Sequence, residues 1–291
     1  MSSASRPKLF NMVDSWLRGL SERERSVLGI VVAMAAASGV GLLVCALVIG
    51  PGLGSGSTPV DSAEFVTLPF GRLQGRIDED GRRHFRGIPY AEPPVGDLRF
   101  RAPQPWSRRW NLVRNATTFG PICVQSPGVW PSMQLPAGES EDCLLLNVVA
   151  PPRAAPGEPL HPVLIYFHAG EFVYGAASDT ENNVPFFAPD VLLVSPGSRL
   201  GIFGYAAAEE LRALNENNGT GNNGIRDQRL ALEWVQQHIH LFGGDRSRVT
   251  IMGESSGGTS VSMHLVSPAS WPLYSRAILE SPGLTQVGGQ A

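Results

Sequence analysis

The 291-residue sequence lacks a strong excess of charge of either sign. Its 23 Lys and Arg residues nearly balance 26 Asp and Glu residues, so the formal net charge is −3. A protein that binds nucleic acid through its phosphates is usually basic, and nothing here predicts such a partner. Internal repeats are absent and cysteine occurs three times. The contents of 43% hydrophobic and 17% charged residues are those of a globular chain with one or two domains.

Charge is entirely missing from the 24 residues between Val27 and Gly50. At about 1.5 Å per residue, a helix of that length crosses a hydrocarbon core of about 30 Å, so residues 27–50 are predicted to span a membrane. The alternatives are a buried globular helix and a cleaved signal peptide. The apolar core of a signal peptide is normally about 7–15 residues long and follows a short basic lead.

Basic residues lie on one side of this run. Five precede it, and no Lys or Arg follows until Arg72. The positive-inside bias then predicts a type II single-pass signal-anchor, with residues 1–26 as a cytoplasmic tail and the rest lumenal or extracellular. Residues 51–64 are rich in Gly, Ser and Pro at their start and are predicted to be a flexible linker.

The most informative motif is Gly253-Glu-Ser-Ser-Gly257, which follows the apolar, β-branched run Val249–Met252. The pattern predicts a short strand, a sharp turn at Ser255 and a helix through Thr259–Val266, the arrangement called a nucleophile elbow. The two glycines would let the backbone turn without a Cβ clash. Because the chain has 33 glycines, the bare motif is weak, and its strand and helix context carries the interpretation.

Further segments, in the same order along the chain, resemble type-B carboxylesterases, the family that includes the cholinesterases and their non-catalytic adhesion relatives. Phe85–Phe100 is similar to the family's first signature and Ser140–Val148 to its second. Asn223–Val235 leads through Phe242–Asp245 to the serine, as in the family. The resemblance runs from about residue 71 to residue 283.

This resemblance implies an α/β-hydrolase fold for residues 65–291. In the family, Arg276–Ser281 is a strand near the middle of the domain, so about half of the catalytic domain is expected to be missing. The expected fold class is therefore a C-terminally truncated α/β-hydrolase preceded by a transmembrane helix, with a raw strand edge. Pro196 and Gly197 suggest that the strand before them ends early. The predicted elements are a hairpin (Phe65–Asp78 with His84–Tyr90), strands at Val163–Phe167, Val191–Val194, Arg248–Met252 and Ala277–Leu279, and a helix from Ile225 to His240.

By the resemblance, Ser255 is the nucleophile. A serine hydroxyl needs an adjacent base, which in the family is a histidine oriented by an acid, both far downstream of the serine. Here His264 is the single histidine after Ser255, nine residues along the same predicted helix, and is expected to point along that helix. Glu280, at a strand end, is the single acid. An upstream residue such as His168 would have to replace the missing base.

The resemblance also places an oxyanion hole in the turn His168-Ala-Gly-Glu-Phe172. Gly170 and Glu171 match two amide donors, and Ser256 supplies the third. Glu171 keeps an N–H but loses glycine's tolerance of positive φ, and it brings a carboxylate near developing negative charge. Alternatively, its side chain swings outward without effect. Glu254 matches the family's acidic neighbour of the nucleophile, or is a surface turn residue.

Other matches are structural or concern modification. Cys123 and Cys143 match the family's first disulfide, which an oxidising compartment would support, with free thiols as the alternative. The resemblance also implies two structural ion pairs, Arg99 with Glu141 and Arg199 with Asp227. Asn115-Ala-Thr117 and Asn218-Gly-Thr220 are glycosylation sequons.

Two functions remain open. The first is a membrane-anchored carboxylic ester hydrolase that needs no cofactor or metal, its serine acylated by a small-molecule ester and deacylated by water. The second is an inactive cholinesterase-like membrane protein that acts in binding or adhesion. The intact elbow favours the first, whereas Glu171 and the missing base favour the second. A truncated gene model without a stable product is a third alternative. The 291-residue chain by itself is expected not to turn over esters.

Overall fold

The computed structural model describes residues 62–125, 138–153, 155, 157–179, 189–215 and 219–283. All of them belong to one compact unit, Pro59–Ala291. The predicted membrane span, residues 27–50, lies outside the described residues. No helix within the described ranges has both the length and the apolar character that a bilayer span requires.

A nine-stranded sheet and a two-stranded sheet organise this unit, with the helices between their strands. The strands are β1 (Ser62–Leu68), β2 (Gly71–Ile77), β3 (Arg83–Pro89), β4 (Arg114–Asn115), β5 (Ile122–Cys123), β6 (Glu139–Ser140), β7 (Leu145–Ala150), β8 (His161–Phe167), β9 (Leu192–Pro196), β10 (Gly244–Glu254) and β11 (Arg276–Glu280). The α-helices are α1 (Gly201–Tyr205), α2 (Glu209–Arg212), α3 (Asn223–His238) and α4 (Ser256–Leu265). Short 3₁₀ turns lie at Gly96–Leu98, Ile239–Phe242 and Pro268–Leu273.

The large sheet changes from antiparallel to parallel along its width. Its order is β1-β2-β3-β7-β9-β8-β10-β11, with β4 added beside β2. Strands β1 to β9 in that order pair antiparallel, whereas β9, β8, β10 and β11 pair parallel. The chain passes from β8 to β9 on one side and then crosses through α3 to β10 on the other. Ligands of open α/β sheets bind where the strand order reverses in this way, at the carboxyl ends of the strands.

Uninterrupted apolar runs explain why strands β9 and β8 lie at the centre of the large sheet. All five residues of β9 are buried, and so are Val163 to Ile165 of β8, because a parallel sheet is covered on both faces. The side chains of Ile165, Val194 and Ile251 are fully buried at the centre. Helix α3 adds Leu232 and Val235 to the same core.

Most predicted elements are present, with two corrections. The strand before Gly197 does not end early, since Pro196 pairs with Leu146 of β7. Its pairing with β8 stops at Val194, so the missing N–H of Pro196 removes no bond on that side. Sequence reasoning also missed β7, although the uninterrupted apolar run Leu144–Leu146 just before Asn147 was a signal for a buried strand.

Strand β11 forms the edge of the large sheet. Within the described residues it pairs with β10 alone, and four of its five residues are exposed. Ile278 and Leu279 are 44% and 37% exposed, which is unusual for apolar residues of a strand beside a parallel core. The exposed edge agrees with the expectation from the sequence.

Candidate active site

Ser255 lies at the junction of β10 and α4, at the carboxyl end of the sheet. Its backbone has φ 55° and ψ −121°, a sparsely populated region for a non-glycine residue. Contacts on both sides hold it there. The Ser255 amide donates to the Glu280 carbonyl at 2.9 Å, and its carbonyl accepts from the Thr259 amide at 2.9 Å and from Thr259 Oγ1 at 3.2 Å. The geometry is that of a nucleophile elbow.

The two glycines of the motif are required by close approach rather than by positive φ. A Cβ on Gly253 would lie 2.3 Å from the carbonyl carbon of Gly257. A Cβ on Gly257 would lie 2.1 Å from the carbonyl oxygen of Phe167, at the end of β8. Helix α4 therefore packs directly against the ends of β10 and β8, next to the oxyanion turn.

Among the described residues, none supplies a base to the Ser255 side chain. The residue is half-buried, and its hydroxyl hydrogen-bonds to no other described residue. His264 is fully buried, with Nδ1 3.0 Å from Ser270 Oγ and Nε2 3.3 Å from Gln228 Oε1. Burial, together with the positive charge of Arg229, lowers the pKa of His264 to about 4. His264 is thus a neutral core residue whose two nitrogens are engaged, as expected from its place on the helix.

His168 is also engaged. Its Nδ1 lies 2.7 Å from the carbonyl oxygen of Ala169, so this nitrogen carries the hydrogen and donates it. Burial lowers the pKa of His168, although the Ala169 bond and the charge of Asp179 oppose that effect. The side chain lines a cavity of about 30 Å³ beside the Cys123–Cys143 disulfide. That cavity is too small for anything beyond a water molecule.

The turn after β8 presents the predicted amide donors. Gly170 has φ 121°, and a Cβ there would lie 1.9 Å from the carbonyl oxygen of Tyr174. The Gly170 carbonyl accepts from the amides of Val173 and Tyr174 at 2.9 and 3.0 Å, which closes the turn. Within the described chain, the N–H groups of Gly170 and Glu171 donate to no other residue. Two donors at the proposed oxyanion site are therefore unengaged.

Glu171 adopts the strained backbone that its position demands. Its φ is 54° and that of Phe172 is 62°, so two consecutive non-glycine residues are left-handed. The Glu171 side chain is exposed, which agrees with the outward alternative, but it still contributes to the wall of the neighbouring cleft. The backbone cost expected for a residue other than glycine is present, and the carboxylate stays at the site.

A cleft of about 490 Å³ adjoins the elbow, a volume within the usual range of small-molecule sites. Ser256 and Glu171 line it together with apolar groups. The rings of Phe172 and Tyr205 meet edge to face on its wall, 5.1 Å apart. Glu171 is the one charged residue of the described lining. The sequence analysis did not place Phe172 or Tyr205 in a substrate cleft. The aromatic residue that ends the oxyanion turn was a usable signal for Phe172.

Carboxylates also gather at the ends of β10 and β11. Glu254 is half-buried and pairs in register with Glu280. Burial raises the pKa of the nearby Tyr166 hydroxyl, and the charges of Glu254 and Glu280 raise it further. Glu254 therefore lies beside Ser255 in an acidic setting, where it contributes negative potential. Among the described residues, no group of three or more His, Cys, Asp or Glu side chains is placed to hold a metal ion.

The implied disulfide and ion pairs are present. Cys123 and Cys143 are joined by a disulfide. Arg99 Nη2 lies 2.5 Å from Glu141 Oε1 on the surface. Of the two sequon asparagines, Asn115 is exposed, and Asn218 lies outside the described residues.

The buried pair of Arg199 and Asp227 is bidentate, at 2.8 and 2.6 Å. The Arg199 amide also donates to the same carboxylate, at 3.0 Å. Burial alone would lower the pKa of Arg199, but Asp227 raises it. The pair ties the end of β9 to the start of α3.

Comparison with known proteins agrees with this fold. Residues 62–287 match the model of the carboxylesterase family, and the chain belongs to that family. It is 42% identical over 225 residues to juvenile hormone esterase of Tribolium castaneum, and the matched region covers 76% of this chain and 36% of that protein. It is 40% identical over 232 residues to acetylcholinesterase of Danio rerio, covering 74% and 35% of the two chains.

A bacterial relative and a solved structure also match this chain. Para-nitrobenzyl esterase of Bacillus subtilis is 40% identical over 222 residues, covering 75% of this chain and 43% of that protein. A solved PNB esterase structure superposes with a TM-score of 0.65 at 37% identity, covering 76% of this chain and 44% of the other. The α/β-hydrolase fold is therefore shared, and the chain spans between 35% and 44% of the length of these relatives.

Proposed function

We propose that this chain carries the nucleophile of a carboxylic ester hydrolase that acts on small-molecule esters. Ser255 attacks the ester carbonyl and is acylated, and water then releases the acid. The strained backbone of Ser255, at the end of β10 and beside the 490 Å³ cleft, is the observation that carries this proposal. Such strain is characteristic of the elbow that lifts a serine hydroxyl above the sheet.

The amides of Gly170, Glu171 and Ser256 are proposed to bind the oxyanion that forms during attack. Removing one donor from such a site typically costs about 3–4 kcal/mol of transition-state stabilisation. Glu254, next to the nucleophile, contributes negative charge that would favour a protonated base. These roles are supported by family membership, the unengaged N–H groups and the position of the turn beside α4.

The described residues supply no base to Ser255. Both nitrogens of His264 are occupied. Donation through Nδ1 leaves Nε2 of His168 able to accept a proton, but His168 lines the small cavity beside the disulfide, whose lining does not include Ser255. Serine hydrolases that lose one triad member keep only the residual acceleration from the oxyanion hole and binding, with losses of roughly 10⁴–10⁶ in kcat. We therefore propose that the 291-residue chain alone does not hydrolyse esters. A longer product, if one exists with a downstream acid and histidine, is expected to hydrolyse short-chain carboxylic esters through Ser255.

Two features that disfavour catalysis favour the second function, which is binding or adhesion without catalysis. Glu171 adds strain and negative charge at the oxyanion turn. In addition, no described residue supplies a base to Ser255. A non-catalytic protein that uses the ectodomain for binding or adhesion would tolerate both. A chain extended by the part of the domain that its relatives have and this sequence does not span separates the two functions, with p-nitrophenyl butyrate as the substrate. Hydrolysis that disappears in Ser255→Ala supports the esterase. Inertness that Glu171→Gly relieves would locate the fault in the oxyanion turn.

We also propose that residues 27–50 anchor the protein in a membrane with type II topology, and that the esterase unit is lumenal or extracellular. The uncharged run and the basic residues before it support this topology. The Cys123–Cys143 disulfide supports an oxidising compartment. N-linked glycosylation at Asn115 and Asn218 would fit the same location.

A further inference from the structure

A second cleft, of about 270 Å³, lies apart from the ester site and shares no lining residue with it. Three arginines and one acid line it, together with two aromatic rings: Arg86, Arg108, Arg114, Asp142, Trp106 and Phe119. Guanidinium groups therefore outnumber carboxylates by three to one in its wall. The volume is slightly below the range of about 300–1,000 Å³ typical of drug-sized ligands, so it suits a ligand of about monosaccharide size.

Arg114 is the unusual member of this wall. It belongs to β4, where its Cα pairs with Leu73 of β2, so its backbone is fixed by the sheet. The residue is half-buried, and its guanidinium forms no hydrogen bond or ion pair with any described residue. Burial lowers the pKa of Arg114, and the charge of Asp142 compensates only in part. A guanidinium carries five N–H donors, and removing it from water without hydrogen-bond acceptors is unfavourable.

The other two arginines are already engaged. Arg86 donates to the Thr117 carbonyl at 3.2 Å, and its guanidinium carbon lies 4.2 Å from the centre of the Phe119 ring. Arg108 pairs with Glu92 at 2.6 Å and lies over Trp106 at 5.6 Å. The guanidinium carbon of Arg114 lies 5.6 Å from the centre of the Trp110 ring, but this contact uses none of its N–H donors. Among the three arginines of the wall, Arg114 is therefore the one whose donors have no hydrogen-bond acceptor in the described residues. The cleft is preorganised for an anion rather than closed by its own ion pairs.

We propose that this cleft binds a small ring-shaped organic anion whose carboxylate, sulfate or phosphate group pairs with Arg114. A guanidinium matches such groups with two parallel hydrogen bonds, which a neutral ligand cannot reproduce. Trp106 and Phe119 line the same cleft and supply apolar surface for the ring of the ligand. The proposal does not depend on Ser255 or on ester hydrolysis.

Asn115 also lines the cleft, and this affects the choice of protein for the test. Its Oδ1 accepts from the Thr117 amide at 2.9 Å and from Thr117 Oγ1 at 2.7 Å. A glycan attached to Asn115 would begin at the cleft and compete with a ligand. Binding is therefore measured on the full chain carrying Asn115→Gln as the common background.

Isothermal titration with glucuronate, glucose and inorganic sulfate tests the proposal. Glucuronate is expected to bind, glucose to show no measurable binding, and sulfate to compete with glucuronate. Arg114→Gln is expected to weaken glucuronate binding about tenfold to a hundredfold, since it removes a charge-assisted pair. Arg114→Lys, which keeps the charge but not the fork, should give an intermediate affinity. The matched control is Arg109→Gln, a neighbouring exposed arginine outside the cleft, which should bind like the parent.

Circular dichroism confirms that each variant is folded before titration. Glucuronate that fails to bind the folded parent would overturn the proposal. So would an equal affinity for glucose, or equal losses in Arg114→Gln and Arg109→Gln.

Discussion

Replacing Glu171 by glycine tests whether the backbone of the oxyanion turn is strained. A left-handed backbone costs an L-residue roughly 1–2 kcal/mol, and Glu171 has φ 54°. Glycine removes that cost but gains conformational freedom in the unfolded chain, worth about 0.4–1 kcal/mol in the opposite direction. The net expectation is a gain of about 0.5–1 kcal/mol in the free energy of unfolding. For a unit of this size, that corresponds to a rise in Tm of about 1–4 °C.

Glu171→Gln is the matched control, because it removes the carboxylate but keeps the Cβ that causes the strain. The side chain is exposed, so this change should stay within about 0.5 kcal/mol of the parent. Urea unfolding, followed by circular dichroism, gives both free energies under the same conditions. A Glu171→Gly protein that is no more stable than Glu171→Gln would refute the assignment of strain to this position.

Three further predictions concern topology, covalent structure and pH. In microsomes, the esterase unit should resist protease until detergent is added, and digestion without detergent would show that residues 27–50 do not give type II topology. Peptide mapping without reduction should recover Cys123 linked to Cys143, and alkylation of both thiols in folded protein would exclude the bridge. The pKa of His264 is about 4 in the folded state and 6.5 in the unfolded state. Between these values the unfolded state binds more protons, so the free energy of unfolding decreases as the pH falls from about 6.5 to 4. That loss should reach roughly 2–3 kcal/mol and be smaller in His264→Gln, and equal pH dependence of the two proteins would contradict it.

Local patterns in the sequence were enough to predict the elbow and most of the strands. The motif around Ser255 lies within one strand, turn and helix, so its geometry depends on neighbouring residues and on the glycines that they require. The positive φ at Glu171 was implied by the family resemblance, because Glu171 stands where the family has glycine. Reasoning from local patterns failed for Pro196, because the cost of a proline in a strand depends on which neighbour the missing N–H would have faced.

The rest depends on contacts between residues distant in the sequence. The partners of His264 are Gln228 and Ser270, which α3 and the turn after α4 bring to it, and no periodicity predicts that meeting. The arginine cleft arises because β4 pairs beside β2, although it is only two residues long. Whether a guanidinium or a carboxylate is exposed likewise depends on how the folded chain packs around it, which the sequence pattern does not show.

The central claim is that this chain carries an ester hydrolase nucleophile without the base that activates it. Hydrolysis of p-nitrophenyl butyrate by the purified 291-residue protein, measured beside Ser255→Ala, tests that claim most directly. We predict that the parent and Ser255→Ala hydrolyse the ester at equal rates, at or near the uncatalysed background. Robust turnover that depends on Ser255 would contradict this prediction, and loss of that turnover in His168→Ala would then identify His168 as the base.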